Sequence, residues 1–376
     1  MPRSRPRPEP IPLVAPWLGA RERRLVAECV RSGWVSSRGR FVDEFERRFA
    51  AYCGARHGVA TSSGTTALHL ALLALGVGPG DDVLVPTLSF VATANAVRYV
   101  GARPVFVDSE PETWTLDPAA ARRALTRRTR AIVVVHLYGH PAAMDELLAL
   151  AARDGLPVVE DACQAHGSEY RGRRAGSLGT IGCFSFFANK LITTGEGGML
   201  VTDRRDLADT ARLLRDHGMS PARRYWHPRV GFNYRMTNLQ AALGVAQLDR
   251  LDALVARRRR NARRYAAALA GTPAVALPPE APWARPVPWL HTVLLRGASR
   301  RARDRVAAAL ARQGIETRPV FYPISALPPY RDGSRRRFPV AERLSREGLS
   351  LPSSPHLTAA QIARVCAALR AALGAR

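Results

Sequence analysis

Between residues 81 and 203 the chain alternates short apolar runs with stretches whose apolar residues recur every three or four positions. "DDVLVP", "RPVFVD", "TRAIVVVHLYG" and "LPVVEDA" have strand length and little polar content. "FVATANAVRYVG", "DPAAARRALT" and "AMDELLALAARDG" between them have helical spacing. Strands that are apolar on both sides must be covered on both faces, and helical crossovers between them make them parallel. The pattern therefore predicts an α/β fold with a mainly parallel sheet sandwiched by helices. In such sheets the functional groups gather at the carboxyl ends of the strands.

The same texture reaches back to residue 20. "ARERRLVAECVRS" and "GRFVDEFERRFAAYCG" are helical, and Val59–Ala60 begin a strand that runs through "TSSGTT" into a further helix with Leu68, Leu72 and Leu75 on one side. From about residue 250 the pattern changes to an arginine-rich helix, a Pro-rich stretch "GTPAVALPPEAPWARPVPW", the strand "LHTVLLRG" and further helices. We expect an extended arm over 1–19, a large α/β domain over 20–249 and a smaller α+β domain over 250–376. "LQAALGVAQLDRLDALVA" together with "RRRRNARRY" reads as one long helix with a solvated basic face.

Five scattered cysteines with no C-x-x-C, and nine histidines without ligand spacing, point to reduced thiols, a cytoplasmic setting and no metal. No apolar run approaches the ~20 residues that cross a bilayer, and the Pro- and Arg-rich start lacks the apolar core of a secretion signal. The net charge of +25 admits nucleic acid or anionic small molecules as partners. Without a zinc finger, an RNA-binding aromatic box or a recognition helix, a solvated arginine surface is the reading we adopt. A basic regulatory protein is the alternative from another class.

All but one of the 56 cationic residues are arginine; the exception is Lys190, in "FSFFANKLITTGEGGML". An arginine substitutes for a lysine wherever only charge is needed. It does not where an amine must lose its proton and form a covalent bond; on the count alone, a compositional drift toward arginine that left one lysine is the other reading. Two other elements suit the same chemistry. "SSGTT" (62–66) at a helix start offers amides, hydroxyls and a positive dipole end to an anion, although the same residues also serve as a simple helix cap. Strand "LPVVEDA" ends in Glu160–Asp161, and because neighbouring strand residues face opposite sides, one carboxylate faces a site and the other faces away. Anion cup, inward carboxylate and reactive amine are what a pyridoxal phosphate enzyme requires.

The run "VEDACQAHGSEYRGRRAGSLGTIGCFSFFANKLITTGEGGML", with "TSSGTTALHLALLALGVGPGD", "VPTLSFVATANAV", "RYWHPRVGFNYRMTNLQAALGVAQL" and "ETRPVFYPISALPPY", resembles the DegT–DnrJ–StrS sugar aminotransferases, which are fold-type I pyridoxal phosphate enzymes. The resemblance implies that Lys190 is the Schiff-base lysine and proton shuttle, and that Asp161 pairs with the pyridinium nitrogen. It places Gln164 beside the ring, Phe90 on the ring face, and Gly64, Thr65 and Ser185 on the phosphate. It also implies that Asn233 reaches the phosphate of a neighbouring subunit, hence a homodimer with shared sites, and it puts His217, Arg224 and Tyr322 near the substrate. The implied reaction moves an amino group from L-glutamate to a nucleotide-linked keto-deoxysugar, at C4 of GDP-4-keto-6-deoxymannose. Amination at C3, or of a keto-cyclitol such as scyllo-inosose, is the alternative. Thr180 stands where the family commonly has aspartate.

Overall fold

The computed structural model describes residues 9–331 and 336–374. Helices α1 (Ala20–Ser32) and α2 (Arg40–Cys53) precede β1 (His57–Thr61) and α3 (Gly64–Ala74). The alternation then runs β2 (Asp82–Pro86), α4 (Ala92–Tyr99), β3 (Arg103–Val107), α5 (Pro118–Ala124), β4 (Thr129–Val135), α6 (Met144–Arg153), β5 (Val158–Asp161). The two-residue strands β6 (Glu169–Tyr170) and β7 (Arg173–Arg174) lead to β8 (Ile181–Ser185), β9 (Gly198–Thr202), α7 (Arg205–Arg215), α8 (Asn238–Leu248) and α9 (Leu251–Leu269). The remainder is β10 (Val275–Ala276), β11 (Ala284–Arg285), β12 (His291–Leu295), α10 (Arg300–Arg312), β13 (Arg318–Pro319), α11 (Pro339–Glu347), β14 (Gly348–Leu351) and α12 (Ala359–Gly374).

Seven strands form one sheet in the order β1-β9-β8-β5-β4-β2-β3. Strand β9 is antiparallel to both neighbours and the other pairs are parallel. The period of two sorts its side chains between layers. Val83, Val85, Val133, Val159 and Leu200 face a cluster with α3, α4 and α7. Leu84, Ile132 and Val134 turn the other way toward α5 and α6, and Ala60, Phe184, Met199 and Val201 toward α1, α2 and α8. This is the helix-covered, mainly parallel sheet that the alternation predicts.

A four-stranded antiparallel sheet, β10-β12-β14-β13, packs on α9, α10 and α12 around Val293, Leu295, Leu349 and Val365. The arm is docked where it is described. Ile11 exchanges backbone hydrogen bonds with Gly314 and Glu316 at 2.8 and 3.0 Å, and Ile11 and Leu13 are buried. Residues 1–8 of the expected arm lie outside the described residues.

The single long basic helix is corrected. Asp249 and Arg250 divide it into α8 and α9. Helix α8 is buried nearly all round, whereas α9 spans two cores, with Leu251, Leu254 and Val255 in one and Tyr265 and Leu269 in the other. No glycine or proline marks the break; tertiary packing sets it. The basic face is not wholly solvated either, because Arg258 is buried, donating to the Trp289 carbonyl at 2.5 Å.

Candidate active site

Strand β5 delivers two adjacent carboxylates to opposite sides of the sheet. Glu160 is fully buried and accepts from the amides of Gly176, Leu178 and Gly179 at 2.6–2.7 Å, with His136 Nε2 2.8 Å away. It has no capacity left for a ligand. Asp161 points the other way, into a cavity of about 340 Å³. Its Oδ2 accepts from the Thr93 hydroxyl at 2.7 Å, and its Oδ1 accepts from the Cys163 amide at 3.2 Å.

The cavity brings Asp161 together with Gly64, Thr65, Phe90, Gln164, Ser185 and Lys190, seven residues singled out in the sequence. Gly64 and Thr65 are the first two residues of α3, whose amides have no acceptor within the helix. Ser63 caps the third, accepting from Thr66 N at 3.2 Å. The cap reading and the anion reading of "SSGTT" therefore coexist, because the cap consumes one amide and leaves two. A Cβ on Gly64 would stand 2.8 Å from both Cys163 Sγ and Ser185 Cβ, so only glycine lets this turn seat against β8. Gly198 allows the backbone of β9 to approach the Ser63–Gly64 peptide in the same way. Of the glycines after Lys190, Gly198 thus serves contact with the turn.

Lys190 follows β8 on a loop, with its Nζ 3.8 Å from the Trp289 ring centroid. Burial pushes its pKa down to about 8, against the pull of Cys163 and Asp161, which favours the charged form. At that pKa roughly a fifth of the amine is neutral near physiological pH, against about a thousandth for an ordinary lysine. The Trp289 indole donates to the Asn189 carbonyl at 2.9 Å, so one ring both carries the amine on its face and holds the preceding peptide. Behind the cavity, burial and the Lys190 charge push His166 down to about 3, which keeps its imidazole neutral.

Gln164 is buried, and its Oε1 accepts from the Tyr138 amide at 2.7 Å. Tyr138 has a positive φ of 51°, costly for a side chain of this size. Its ring lies beside those of Phe321 (5.6 Å) and Trp289 (6.0 Å), which are 6.4 Å from each other, and both partners line the cavity.

Four residues expected at the site lie outside this cavity. Asn233 accepts from Arg235 at 3.3 Å and is bridged to Asp216. His217 lies 3.3 Å from Arg235, Arg224 stacks on Tyr225, and Tyr322 lies under the Arg300 guanidinium. Sequence reasoning missed Thr93, Trp289, Arg318 and Phe321. Thr93 sits three residues after Phe90 in a segment already noted, Arg318 and Phe321 lie in the quoted stretch "ETRPVFYPISALPPY" without having been singled out, and Trp289 ends the Pro-rich stretch with no motif to mark it.

An amine with a depressed pKa, an inward carboxylate and a free helix N-terminus on one cavity of an α/β sheet are what an aminotransferase of fold type I requires. A family model agrees over residues 16–370, and the chain belongs to the DegT/DnrJ/EryC1/StrS aminotransferase family. It is 51% identical to GDP-perosamine synthase of Caulobacter vibrioides over 96% of this chain and 97% of that protein. Its structure is similar to that of S. venezuelae DesV, with a TM-score of 0.91, 39% identity, and coverage of 98% of this chain and 100% of that one. It is also similar to Spr1654 of Streptococcus pneumoniae, solved in a PLP form, with a TM-score of 0.92, 28% identity, and 97% and 98% covered.

Proposed function

We propose that this chain is a pyridoxal phosphate-dependent aminotransferase that moves the amino group of L-glutamate to C4 of GDP-4-keto-6-deoxymannose, giving GDP-perosamine. The observation that carries the reading is the shared cavity of Lys190, Asp161 and the α3 N-terminus. The 51% identity to a GDP-perosamine synthase across nearly the whole of both chains supports the substrate.

The donor set fits the cofactor. When bound, pyridoxal phosphate supplies an aldehyde that takes up the amino group and a ring that withdraws electrons from the neighbouring carbon. The free amides of Gly64 and Thr65, with the Ser185 hydroxyl, would hold its phosphate. Asp161 would keep the ring nitrogen protonated, and Thr93 fixes which carboxylate oxygen is presented. Gln164 is oriented through Tyr138, and Phe90, on the cavity wall, would pack against the cofactor. Lys190 would hold the cofactor until substrate arrives, then accept and return the substrate proton at its Nζ. That role requires an amine that can give up its proton without strong base, and burial eases that loss.

We infer a homodimer with shared sites. Tyr225, Trp226 and Val230 are exposed, Val230 at 89%. Ser37, Arg38, Arg224, Pro228 and Arg229 line one open groove. Asn233, His217 and Arg224 do not line their own chain's cavity, which fits residues that serve a neighbour's cavity.

The test is a product assay with L-glutamate against GDP-4-keto-6-deoxymannose, a dTDP-linked keto sugar and scyllo-inosose. Amination of the GDP sugar at C4 supports the proposal. Turnover of the cyclitol alone contradicts it.

A further inference from the structure

A second and larger cavity, about 1000 Å³, runs along β3, the edge strand of the main sheet. Arg98 of α4, Arg103 of β3, Arg300 at the start of α10, Arg331 and Arg336 from the loop before α11, and Arg346 of α11 line it. Glu342 is the one carboxylate among the described lining residues. Arg103 is paired with Asp82 at 2.7 Å, and with Pro104 it blocks pairing of the strand edge with another chain. That accounts for Arg103, and Arg346 has its own carboxylate partner in Glu347 at 3.2 Å. Arg98 and Arg300 come from elements that need no such protection, and neither has a carboxylate partner among the described residues.

Cations from five separate segments meeting in one concave groove repel one another and focus a positive potential into it. Guanidinium groups match phosphate oxygens in pairs, and Phe106 and Tyr330, 5.7 Å apart edge to face, give the groove an apolar wall. The volume lies at the upper end of small-ligand sites. The groove is also tied to the active cavity. Arg318 and Phe321 line the cavity, while Pro323, Ser325 and Tyr330 of the same loop line the groove. Ser325 is bonded to Thr87 at 2.8 Å and Tyr330 to Asn95 at 2.5 Å, so the loop is pinned on its groove side.

We propose that this groove binds the diphosphate of a nucleoside diphosphate. The diphosphate has two possible sources: the tail of the sugar nucleotide whose keto carbon sits in the cavity, or a free nucleotide acting from behind the loop. The first rests on the function proposed above; the second does not.

The test titrates inorganic pyrophosphate and GDP into the full-length enzyme loaded with pyridoxal phosphate, so that the cofactor's own phosphate site is filled. Wild type is compared with R98S/R300S and with R98K/R300K; both positions are exposed. Binding that weakens about tenfold or more in the serine variant, is largely kept in the lysine variant and falls steeply with salt supports the groove. If the substrate's tail occupies it, KM for the sugar nucleotide rises in R98S/R300S while the L-glutamate half-reaction is unchanged. If free nucleotide does, KM stays and the effect of GDP on turnover disappears. Equal affinity in wild type and R98S/R300S, or no binding to either, overturns the proposal whether or not the enzyme aminates a GDP sugar.

Discussion

Thr93 donates its hydroxyl to Oδ2 of Asp161 at 2.7 Å, both groups buried, and so ties the first turn of α4 to the carboxyl end of β5. A lone carboxylate in a cavity rotates. This one is held on both oxygens, by Thr93 and by the Cys163 amide.

Replacing Thr93 with valine keeps the shape and removes the donor. Hydrogen bonds to charged groups contribute about 1.5–3 kcal/mol, so T93V should retain cofactor about 10- to 100-fold less tightly. Spectroscopic titration of the apo-protein measures this. Unchanged affinity would show that Asp161 needs no orientation.

Glu160, one residue away, predicts the opposite separation. Its carboxylate satisfies three amides and faces His136 inside the sheet. E160Q turns one acceptor into a donor facing amide hydrogens and should cost about 2–4 kcal/mol of stability, read as a lowered denaturant midpoint. Folded E160Q should still bind cofactor with unaltered absorbance.

The Lys190 amine sets a pH dependence. Its folded pKa of about 8 lies below the ordinary 10.5. Between those values the unfolded chain binds the extra proton, so the Lys190 contribution to apo-protein stability rises with pH across that window and the full penalty applies below it. Denaturant unfolding of apo-protein from pH 7 to 10 should show this as a rise in the wild-type minus K190M difference, because the cysteine thiols that burial pushes up lower the stability of both proteins over the same range. The rate of cofactor uptake should climb through pH 8 in parallel.

The sheet and its helices were legible because each apolar run needed cover on both faces, and Lys190 because it alone breaks an arginine-only usage. That one of Glu160 and Asp161 faces inward follows from strand parity; which one does depends on the amides of Gly176, Leu178 and Gly179 looping beneath β5. Trp289 was not legible. It reaches Lys190 from a Pro-rich stretch 99 positions later, and only the packing of α9 and Tyr138 places it. The same tertiary control splits α8 from α9 at Asp249–Arg250, where the sequence shows a continuous helical pattern.

The covalent role of Lys190 is tested most directly by reducing cofactor-loaded protein with borohydride and mapping the modified peptide by mass. The account predicts a pyridoxyl group on the Lys190 side chain, and no long-wavelength absorbance in K190A. Colourless protein carrying no such group after cofactor supplementation would contradict it.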